Sequence, residues 1–457
     1  MIRSVAGVVA PDAVAQVLPH EHVLHRIHPA VANSTTAVSS TSSASPRGYA
    51  LPIRNEDLQQ YRVSPGGLGG QNLVLEKEDE AFRELELLEA LPGRDRDSSV
   101  SGSITAGATV KWPLVVDVTL PIEGRDALMT QRVRLAEKLK VHLVSVTTCD
   151  FERASAAFPL GLPVRDQAER LAKALETDLM FGFSAYESSS SAVGAGTIYQ
   201  QIHTTSYILG EHEAITAHAI ALAQQRTHAP VYLSFSFSAN SIGDTNDYHQ
   251  QQQFIRAWVQ DLLLHGAESS KIVVCHADQW CADDNTDAST NNYTFLQSLL
   301  KFGVRLLFTM IGLSTVSDTI LMNPCLAGLP SPPYSTTNKE PPRDSSIAKC
   351  ISRLIQEQDG NTSNIHQLLL STNRLLSHHG VSEQQFQQLV HDNAVGLLSW
   401  YIPPEAPEVS KDYLKCSICK KDFEPIIGEY FTKFEFIYCG TKCLRKHSRQ
   451  GFAKLSD

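Results

Sequence analysis

The sequence predicts an α/β fold, a (β/α)8 barrel of the TIM type, followed by a small C-terminal zinc-finger module. Short apolar segments alternate with helical patterns over about 400 residues, as in parallel strands joined by helices. Four cysteines in two close pairs lie near the C-terminus, and this spacing indicates a metal site. A content of 42% hydrophobic and 19% charged residues is typical of a globular protein.

Eight strands are predicted from the apolar segments. The first leads into His20, and the second, Leu114–Thr119, is a near-continuous apolar run of the kind buried on both faces. The other six are His142–Thr147, Gly196–His203, Val231–Phe237, Lys271–Cys275, Val304–Phe308 and Gln367–Leu370. An open doubly wound sheet is the alternative, but no glycine-rich phosphate-binding turn follows the first strand.

Helical spacing of apolar residues occurs between these strands. The predicted helices are Glu78–Leu91, Gln131–Leu139, His212–Gln225, Phe254–His265 and Tyr293–Phe302. Two segments rich in small and polar residues, 30–47 and 94–107, have too little apolar content to order themselves and are predicted to be flexible insertions. The barrel is therefore assigned to residues 1–400, a proline-rich linker to 401–410 and the finger to 411–457.

Charge and cysteine content exclude several classes of protein. The net charge of −10 argues against a general nucleic-acid binder. Residues 411–457 carry ten Lys and Arg against six Asp and Glu, net +4, which leaves −14 for residues 1–410. No apolar run approaches the ~18 residues of a membrane span. Nine cysteines, an odd number, favour metal binding over disulfides and predict a reducing, cytoplasmic location.

The motif Leu18–His22 (LPHEH) lies at the end of the first predicted strand, which is at the mouth of the predicted barrel. Side chains at positions i and i+2 leave the same face of a strand, so His20 and His22 can reach one metal ion. Two surface histidines in a loop are the alternative for this motif taken alone.

Over residues 1–400 the chain resembles the phosphotriesterase family of the amidohydrolase superfamily, which includes the phosphotriesterase-related proteins. Order and spacing match nearly from end to end. The residues that carry the resemblance are Gly7, Leu18–His22, Asn72–Leu75, Val116–Thr119, Gly124–Asp126, Ala195–Ile198, Val273–Asp278, Gly312 and Asn393.

The resemblance implies two bridged divalent metals, usually zinc, that activate water to hydrolyse an ester, amide or lactone. It implies His-x-His after strand one, a carboxylated Lys or a Glu after strand four, and His after strands five and six. An Asp after strand eight binds metal and acts as the base. His20, His22 and His276 match this pattern. The remaining positions depart from it, because they carry Tyr199, Gln200 or Gln201 at strand four, Ser234 at strand five and Asn373 at strand eight.

These departures remove both anionic ligands and the base. Burying two metal ions without anionic ligands costs several kcal/mol per ion, and the neutral amides of Gln and Asn bind zinc poorly. Asn373 cannot accept a proton, so no catalytic residue is assigned. The sequence therefore predicts a non-catalytic or strongly weakened barrel, a pseudoenzyme that acts as a binding or scaffold protein.

Two further interpretations of the barrel stay open. His20, His22 and His276 could hold one zinc in a reduced site that hydrolyses esters, lactones, phosphotriesters or N-acyl amino acids, with Glu21, Asp278 or His203 as the base. Without metal, the same three histidines would be hydrogen-bonded in a wet barrel mouth. Asp117 and Arg125 are predicted to make structural hydrogen bonds or ion pairs rather than to contact substrate.

The tail contains Cys416-x2-Cys419 and Cys439-x3-Cys443, which suit a closed tetrahedral structural zinc site. A β-hairpin packed on a short helix from Thr441 to about Arg449 is predicted around it. The pattern resembles the treble-clef fingers of the TRASH and MYND kind. His447 is an alternative ligand, and otherwise a solvated histidine.

Fingers of this shape mostly mediate protein contacts. The modest net charge of +4 favours a protein partner over nucleic acid, and no membrane contact is predicted. The helix face that carries Lys442, Arg445, Lys446 and Arg449 is interpreted as solvated surface. The family resemblance also suggests a homodimer.

Overall fold

In the computed structural model the described residues up to 401 form twelve strands, and eight of these strands belong to one sheet. In chain order they are β1 (Ile2–Ser4), β2 (Gly7–Val9), β3 (Val14–Glu21), β4 (His25–Arg26), β5 (Val74–Leu75), β6 (Trp112–Asp117), β7 (His142–Thr147), β8 (Ala195–Thr204), β9 (Val231–Phe237), β10 (Ile272–Cys275), β11 (Arg305–Phe308) and β12 (Ile365–Gln367).

The structure describes the following residues, and the statements below concern these alone: 1–26, 74–86, 111–159, 161–183, 193–204, 207–237, 245–281, 287–309, 344–358, 362, 365–367, 373–401, 414–423, 431–433 and 436–449. The predicted insertions 30–47 and 94–107 and nearly all of the predicted linker 401–410 lie outside them. Two units are separated at the linker, Met1–Tyr401 and Ile402–Asp457.

The sheet runs β3-β6-β7-β8-β9-β10-β11-β12, and all neighbouring strands pair in parallel. The eight predicted strands are therefore confirmed, and β7 and β9 have the predicted bounds. The eighth strand begins two residues earlier than predicted, at Ile365, because Leu306 pairs with Ile365 and Phe308 with Gln367. The rest of the predicted strand, 368–370, lies outside the described residues.

Helices connect successive strands, as the (β/α)8 prediction requires. They are α1 (Glu78–Glu86), α2 (Met129–Leu139), α3 (Phe151–Ser155), α4 (Val164–Met180), α5 (Glu211–Thr227), α6 (Thr245–Leu264), α7 (Asp287–Lys301), α8 (Asp344–Gln356), α9 (Asn373–His378), α10 (Glu383–Gln387) and α11 (Asn393–Leu398). The five predicted helices correspond to α1, α2, α5, α6 and α7. The sequence analysis missed α4 and α8, although both bury an apolar face against the barrel.

Two layers of apolar side chains enclose the sheet, and alternate residues of each strand enter different layers. Val146, Tyr199, Tyr232, Cys275 and Leu307 belong to the layer inside the barrel. The layer between the sheet and the helices contains, among others, Ile198, Leu233, Val274, Phe308 and Trp258. The strands are therefore buried on both faces, which explains their near-continuous apolar sequences.

The N-terminal hairpin packs against the start of β8, and this contact requires Gly196. A Cβ atom at position 196 would lie 2.5 Å from the Arg3 carbonyl oxygen and 2.5 Å from Val144 Cγ1. Trp400 Nε1 also donates a hydrogen bond to the Gly196 carbonyl oxygen at 2.7 Å. The first and last segments of the barrel thus meet at the N-terminal ends of its strands.

A buried ion pair joins the end of β6 to α2. Asp117 and Arg132 have side-chain exposures of 1% and 0%, and the Arg132 guanidinium donates to the Asp117 carboxylate. The carboxylate also accepts the Val23 N–H at 3.1 Å, and Arg132 also donates to the carbonyl oxygens of Leu24 and Arg125. Asp117 therefore has the structural role predicted for it, with Arg132 as its partner.

The second unit has the predicted hairpin and helix. Two antiparallel pairs, β13 (Leu414–Lys415) with β14 (Asp422–Phe423) and β15 (Phe431–Lys433) with β16 (Phe436–Tyr438), precede α12 (Thr441–Arg449). The helix has the bounds predicted for it. Among the described helices of the whole chain, none is long and apolar enough to cross a membrane.

We expect Arg132→Met to lower the free energy of unfolding by about 3–5 kcal/mol, because it leaves the Asp117 charge buried without its partner. Urea unfolding measures the loss. Arg134→Met is the matched control, since the Arg134–Glu78 pair lies at the surface and contributes about 0–1 kcal/mol. Equal losses in the two variants would contradict this role for the buried pair.

Candidate functional site

Three histidines meet at the C-terminal ends of the barrel strands. His20 lies in β3, His22 follows that strand, and His276 follows β10. The ring centroids of His20 and His276 are 4.9 Å apart, and those of His20 and His22 are 6.2 Å apart. All three side chains are at most 2% exposed. The fold therefore brings together residues that are more than 250 positions apart in the sequence.

The structure distinguishes between the glutamines of β8. Tyr199 belongs to the inner layer and Ile198 to the outer layer, so Gln201 faces the barrel interior while Gln200 faces the helices. Gln200 Oε1 accepts the Cys149 N–H at 3.0 Å, outside the barrel. Of the three strand-four candidates, Tyr199 and Gln201 therefore face the interior, and the Tyr199 ring centroid lies 5.5 Å from that of His20.

Ser234 also faces the barrel interior. It lies two residues after Tyr232 on β9, and its backbone is paired with that of Gln201 on β8. Ser234 Oγ is buried and makes no hydrogen bond with the part of the chain that the structure describes. A hydroxyl and an amide therefore stand side by side on the inner face of the fourth and fifth strands.

His276 is held by Thr309 and, through Thr309, by Asp278. Its Nδ1 lies 2.7 Å from Thr309 Oγ1, at the end of β11, and Asp278 Oδ1 accepts the Thr309 N–H at 2.6 Å. The backbone of His276 is left-handed, with φ of 58°. Its Nε2 is buried without a hydrogen bond in the described part of the molecule.

Glu123 is a second residue that sequence reasoning missed. Its Oε2 lies 3.5 Å from His22 Nδ1 and accepts the Leu120 N–H at 2.8 Å. Thr119 Oγ1 lies 3.5 Å from the same His22 nitrogen. Glu123 lies about a hundred residues from His22 in the sequence, and no local sequence pattern predicts a contact between residues so far apart.

Asn373 lies in a different setting from the three histidines. It is the first residue of α9, six positions after the end of β12. Its Nδ2 donates to Glu383 Oε2 at 2.8 Å, and its Oδ1 accepts from Ser377 Oγ at 3.1 Å. The described contacts of Asn373 are thus with α9 and α10.

Burial disfavours the charged forms of three groups at the mouth. It lowers the pKa of His276 to about 3, with a contribution from nearby His22, and it lowers the pKa of His20 well below its usual range, with His276 and His22 adding to the shift. Burial also raises the pKa of the Glu21 carboxyl to about 8, an effect that Asp117 reinforces and His22 opposes. At neutral pH the imidazoles of His20 and His276 are therefore unprotonated, and Glu21 retains its proton.

The four cysteines of the second unit form the metal-binding group of the described residues, in which all ligand atoms lie within 4.8 Å of one another. His20, His22 and His276 do not form such a group with other described side chains. The Sγ atom of Cys439 lies 3.6 Å from that of Cys419 and 3.8 Å from that of Cys443. A zinc ion with Zn–S bonds of about 2.3 Å requires sulfur–sulfur edges of about 3.8 Å, so this arrangement fits tetrahedral zinc.

Backbone N–H groups around Cys416 stabilise the thiolate form of its side chain. Burial alone raises the pKa of its thiol, but the N–H groups of Cys419, Cys439 and Ile418 together lower that pKa to about 6. The turn closes with Lys420 in the left-handed region, φ 59°, and its N–H donates to the Cys416 carbonyl oxygen at 3.0 Å.

His447 is a structural residue and not a solvated one, which corrects the sequence-based expectation. It is fully buried, its Nδ1 lies 2.9 Å from the Tyr438 hydroxyl, and its ring packs against Phe436 at 4.6 Å. Position 447 lies one helical turn after Cys443 and therefore points into the small core beside the cluster.

Comparisons with known proteins agree with this geometry. Residues 411–455 match the Vms1-associating treble clef domain, so the second unit is a treble-clef domain. A triple mutant of an organophosphorus hydrolase from Deinococcus radiodurans is 16% identical, with a TM-score of 0.51 over 87% of this chain and 97% of that chain. A mutant of a phosphotriesterase-like lactonase from the same organism is 14% identical, with a TM-score of 0.50 over 87% and 100%.

A third similar structure comes from the engineering of organophosphate hydrolysis on a weak promiscuous lactonase template. It is 16% identical, with a TM-score of 0.52 over 87% of this chain and 100% of that chain. No curated protein matches the sequence. At such identities the likeness establishes the fold, which is that of the phosphotriesterase-like barrels.

We expect Glu21→Gln to flatten the pH dependence of stability. Between pH 4.5 and about 8 the folded chain keeps the Glu21 proton and the unfolded chain releases it, so the wild-type free energy of unfolding falls as pH rises. The slope is at most about 1.4 kcal/mol per pH unit. Urea unfolding across this pH window measures it. The exposed Glu211→Gln control should retain the wild-type slope, and an unchanged slope in Glu21→Gln would refute the assignment.

We also expect His447→Gln to retain zinc and Cys443→Ser to lose it. The His447→Gln change removes an imidazole that is hydrogen-bonded to the Tyr438 hydroxyl. The Cys443→Ser change removes one of the four thiolates that a tetrahedral zinc site requires. Elemental analysis of the purified full chain gives the zinc content of each variant. Loss of zinc from His447→Gln, with the chain still folded, would make His447 a ligand.

Proposed function

We propose that this chain, a phosphotriesterase-like barrel followed by a treble-clef domain, is a protein-binding factor. In this proposal the barrel is a scaffold without effective hydrolytic activity, and the zinc-loaded treble clef contacts a protein partner. The observation that carries the proposal is the neutral inner face of the fourth and fifth strands, where Gln201 and Ser234 stand side by side.

The lack of charge on Gln201 and Ser234 bears on whether the barrel can hold two metal ions. A binuclear site places about four positive charges in a partly desolvated pocket, and anionic ligands must offset them. Gln201 and Ser234 supply no charge at neutral pH, and the protonated Glu21 supplies none either. Asn373, at the position expected for the base, carries an amide that hydrogen-bonds Glu383. These uncharged side chains thus favour a barrel that acts as a scaffold and does not catalyse hydrolysis.

The treble clef supports the binding role. Cys416, Cys419, Cys439 and Cys443 would hold the zinc, and the metal would supply much of the folding free energy of so small a unit. The name of the matching family records association with Vms1, and we extend from it only the idea of a protein partner. A homodimer and a cytoplasmic location stay predictions.

A zinc-dependent hydrolase is the second candidate. It is favoured by one observation, the buried Nε2 of His276, which is unprotonated at neutral pH and has no hydrogen-bond partner among the described residues. With His20 and His22 it could complete a three-histidine site for esters, lactones, phosphotriesters or N-acyl amino acids.

Zinc stoichiometry of full-length variants separates the two candidates. We expect about one zinc per chain in the wild type, none in Cys439→Ser/Cys443→Ser, and an unchanged value in His20→Ala/His276→Ala. His249→Ala, at an exposed histidine, is the matched control. Additional zinc that disappears in the His20/His276 variant would favour the hydrolase.

Turnover gives the complementary result. Aryl esters, lactones, phosphotriesters and N-acyl amino acids should be hydrolysed no faster with the protein than in buffer. Activity that is abolished both by His20→Ala and by chelation would overturn the scaffold proposal.

A further inference from the structure

Helix α12 carries four cations on one face. Lys442, Arg445, Lys446 and Arg449 are exposed, and at about 3.6 residues per turn they fall within an arc of about 100°. Cys443 and His447 lie on the opposite side of the helix, toward the cluster and the small core. We call the four cations the basic stripe.

The basic stripe has no counter-charge on its own helix. The segment Thr441–Arg449 contains no acidic residue, and no stripe residue forms an ion pair with another described residue. Like charges three and four positions apart on a helix repel by a few tenths of a kcal/mol per pair. Among the described residues the four like charges of the stripe are therefore not offset by an acidic side chain, and an external anion would reduce their mutual repulsion.

Lys442 differs from the other three in its surroundings. Together with Lys421 it lines the same depression as Cys419, Cys439 and Cys443. Four thiolates around one zinc ion leave a net negative charge, which these two lysines would offset. Arg445, Lys446 and Arg449 lie further along α12, and the cysteine cluster does not account for them.

We propose that the basic stripe docks an acidic segment of a partner protein. This inference rests on the proposed function and specifies the chemistry of the partner. The stripe is about 10 Å long, which corresponds to two turns of an acidic helix or about three extended residues. Arg445 and Arg449 are one helical turn apart, and each can bind a carboxylate through two parallel N–H donors.

An acidic protein segment fits the stripe better than nucleic acid does. Nucleic-acid binders typically neutralise roughly six to ten phosphates, whereas the stripe offers four cations. The chain as a whole carries −10, which disfavours a long polyanion, whereas a short acidic peptide interacts mainly within about 8 Å of the helix.

Fluorescence anisotropy with the zinc-loaded full chain tests the docking. The probes are a labelled peptide of alternating glutamate and glycine, the same peptide with glutamine for glutamate, and a single-stranded oligonucleotide of equal charge. We expect the glutamate peptide alone to bind, and its affinity to fall between roughly 50 and 200 mM salt.

Substitutions assign that binding to the stripe. Arg445→Glu/Arg449→Glu should weaken binding by about tenfold or more. Arg445→Lys/Arg449→Lys keeps the charge and loses the paired donors, so its affinity should be intermediate. Lys173→Glu/Lys301→Glu makes the same charge change at exposed barrel positions and should leave binding unchanged. Zinc content equal to that of the wild type confirms that each variant is folded.

Three results would overturn the proposal: no binding of the glutamate peptide, equal affinity of the wild type and the Arg445→Glu/Arg449→Glu variant, or tighter binding of the oligonucleotide. Each leaves the scaffold assignment of the barrel intact, because that assignment depends on turnover and on histidine-dependent zinc, which this assay does not measure.

Discussion

The buried ion pair between Asp117 and Arg132 supports the segments that form the barrel mouth. It joins the end of β6 to α2, and its hydrogen bonds also hold the backbone at Val23 and Leu24, immediately after the histidine motif. The site histidine His22 is therefore anchored from the adjacent strand. Both charges are fully buried, so removing either partner would greatly lower the free energy of unfolding. The ion pair therefore restrains the backbone next to the mouth.

The second property of the mouth is that burial disfavours charge on three of its groups. Imidazoles and a carboxyl group that water cannot reach adopt their uncharged forms, as His20, His276 and Glu21 do. Strands four and five add an amide and a hydroxyl. These buried groups give the mouth a polar interior in which the charged forms of His20, His276 and Glu21 are disfavoured.

The treble clef depends on a different physical constraint. A unit of this size has little apolar core, so a tetrahedral ion must supply much of the free energy of folding. The sulfur positions and the hydrogen bond from Tyr438 to His447 form that compact centre, and the exposed side of α12 is left available for contact.

The sequence by itself determined the eight strands, the barrel class and the grouping of the four cysteines, because apolar periodicity and short-range cysteine spacing are local properties. Only the tertiary structure decided which of Gln200 and Gln201 faces the interior, where Asn373 lies, and that His447 is buried. It also revealed Arg132, Thr309 and Glu123 as partners of the mouth. These facts depend on strand register and on contacts between distant segments, and packing sets both: a shift of one residue along a strand turns every side chain to the other face.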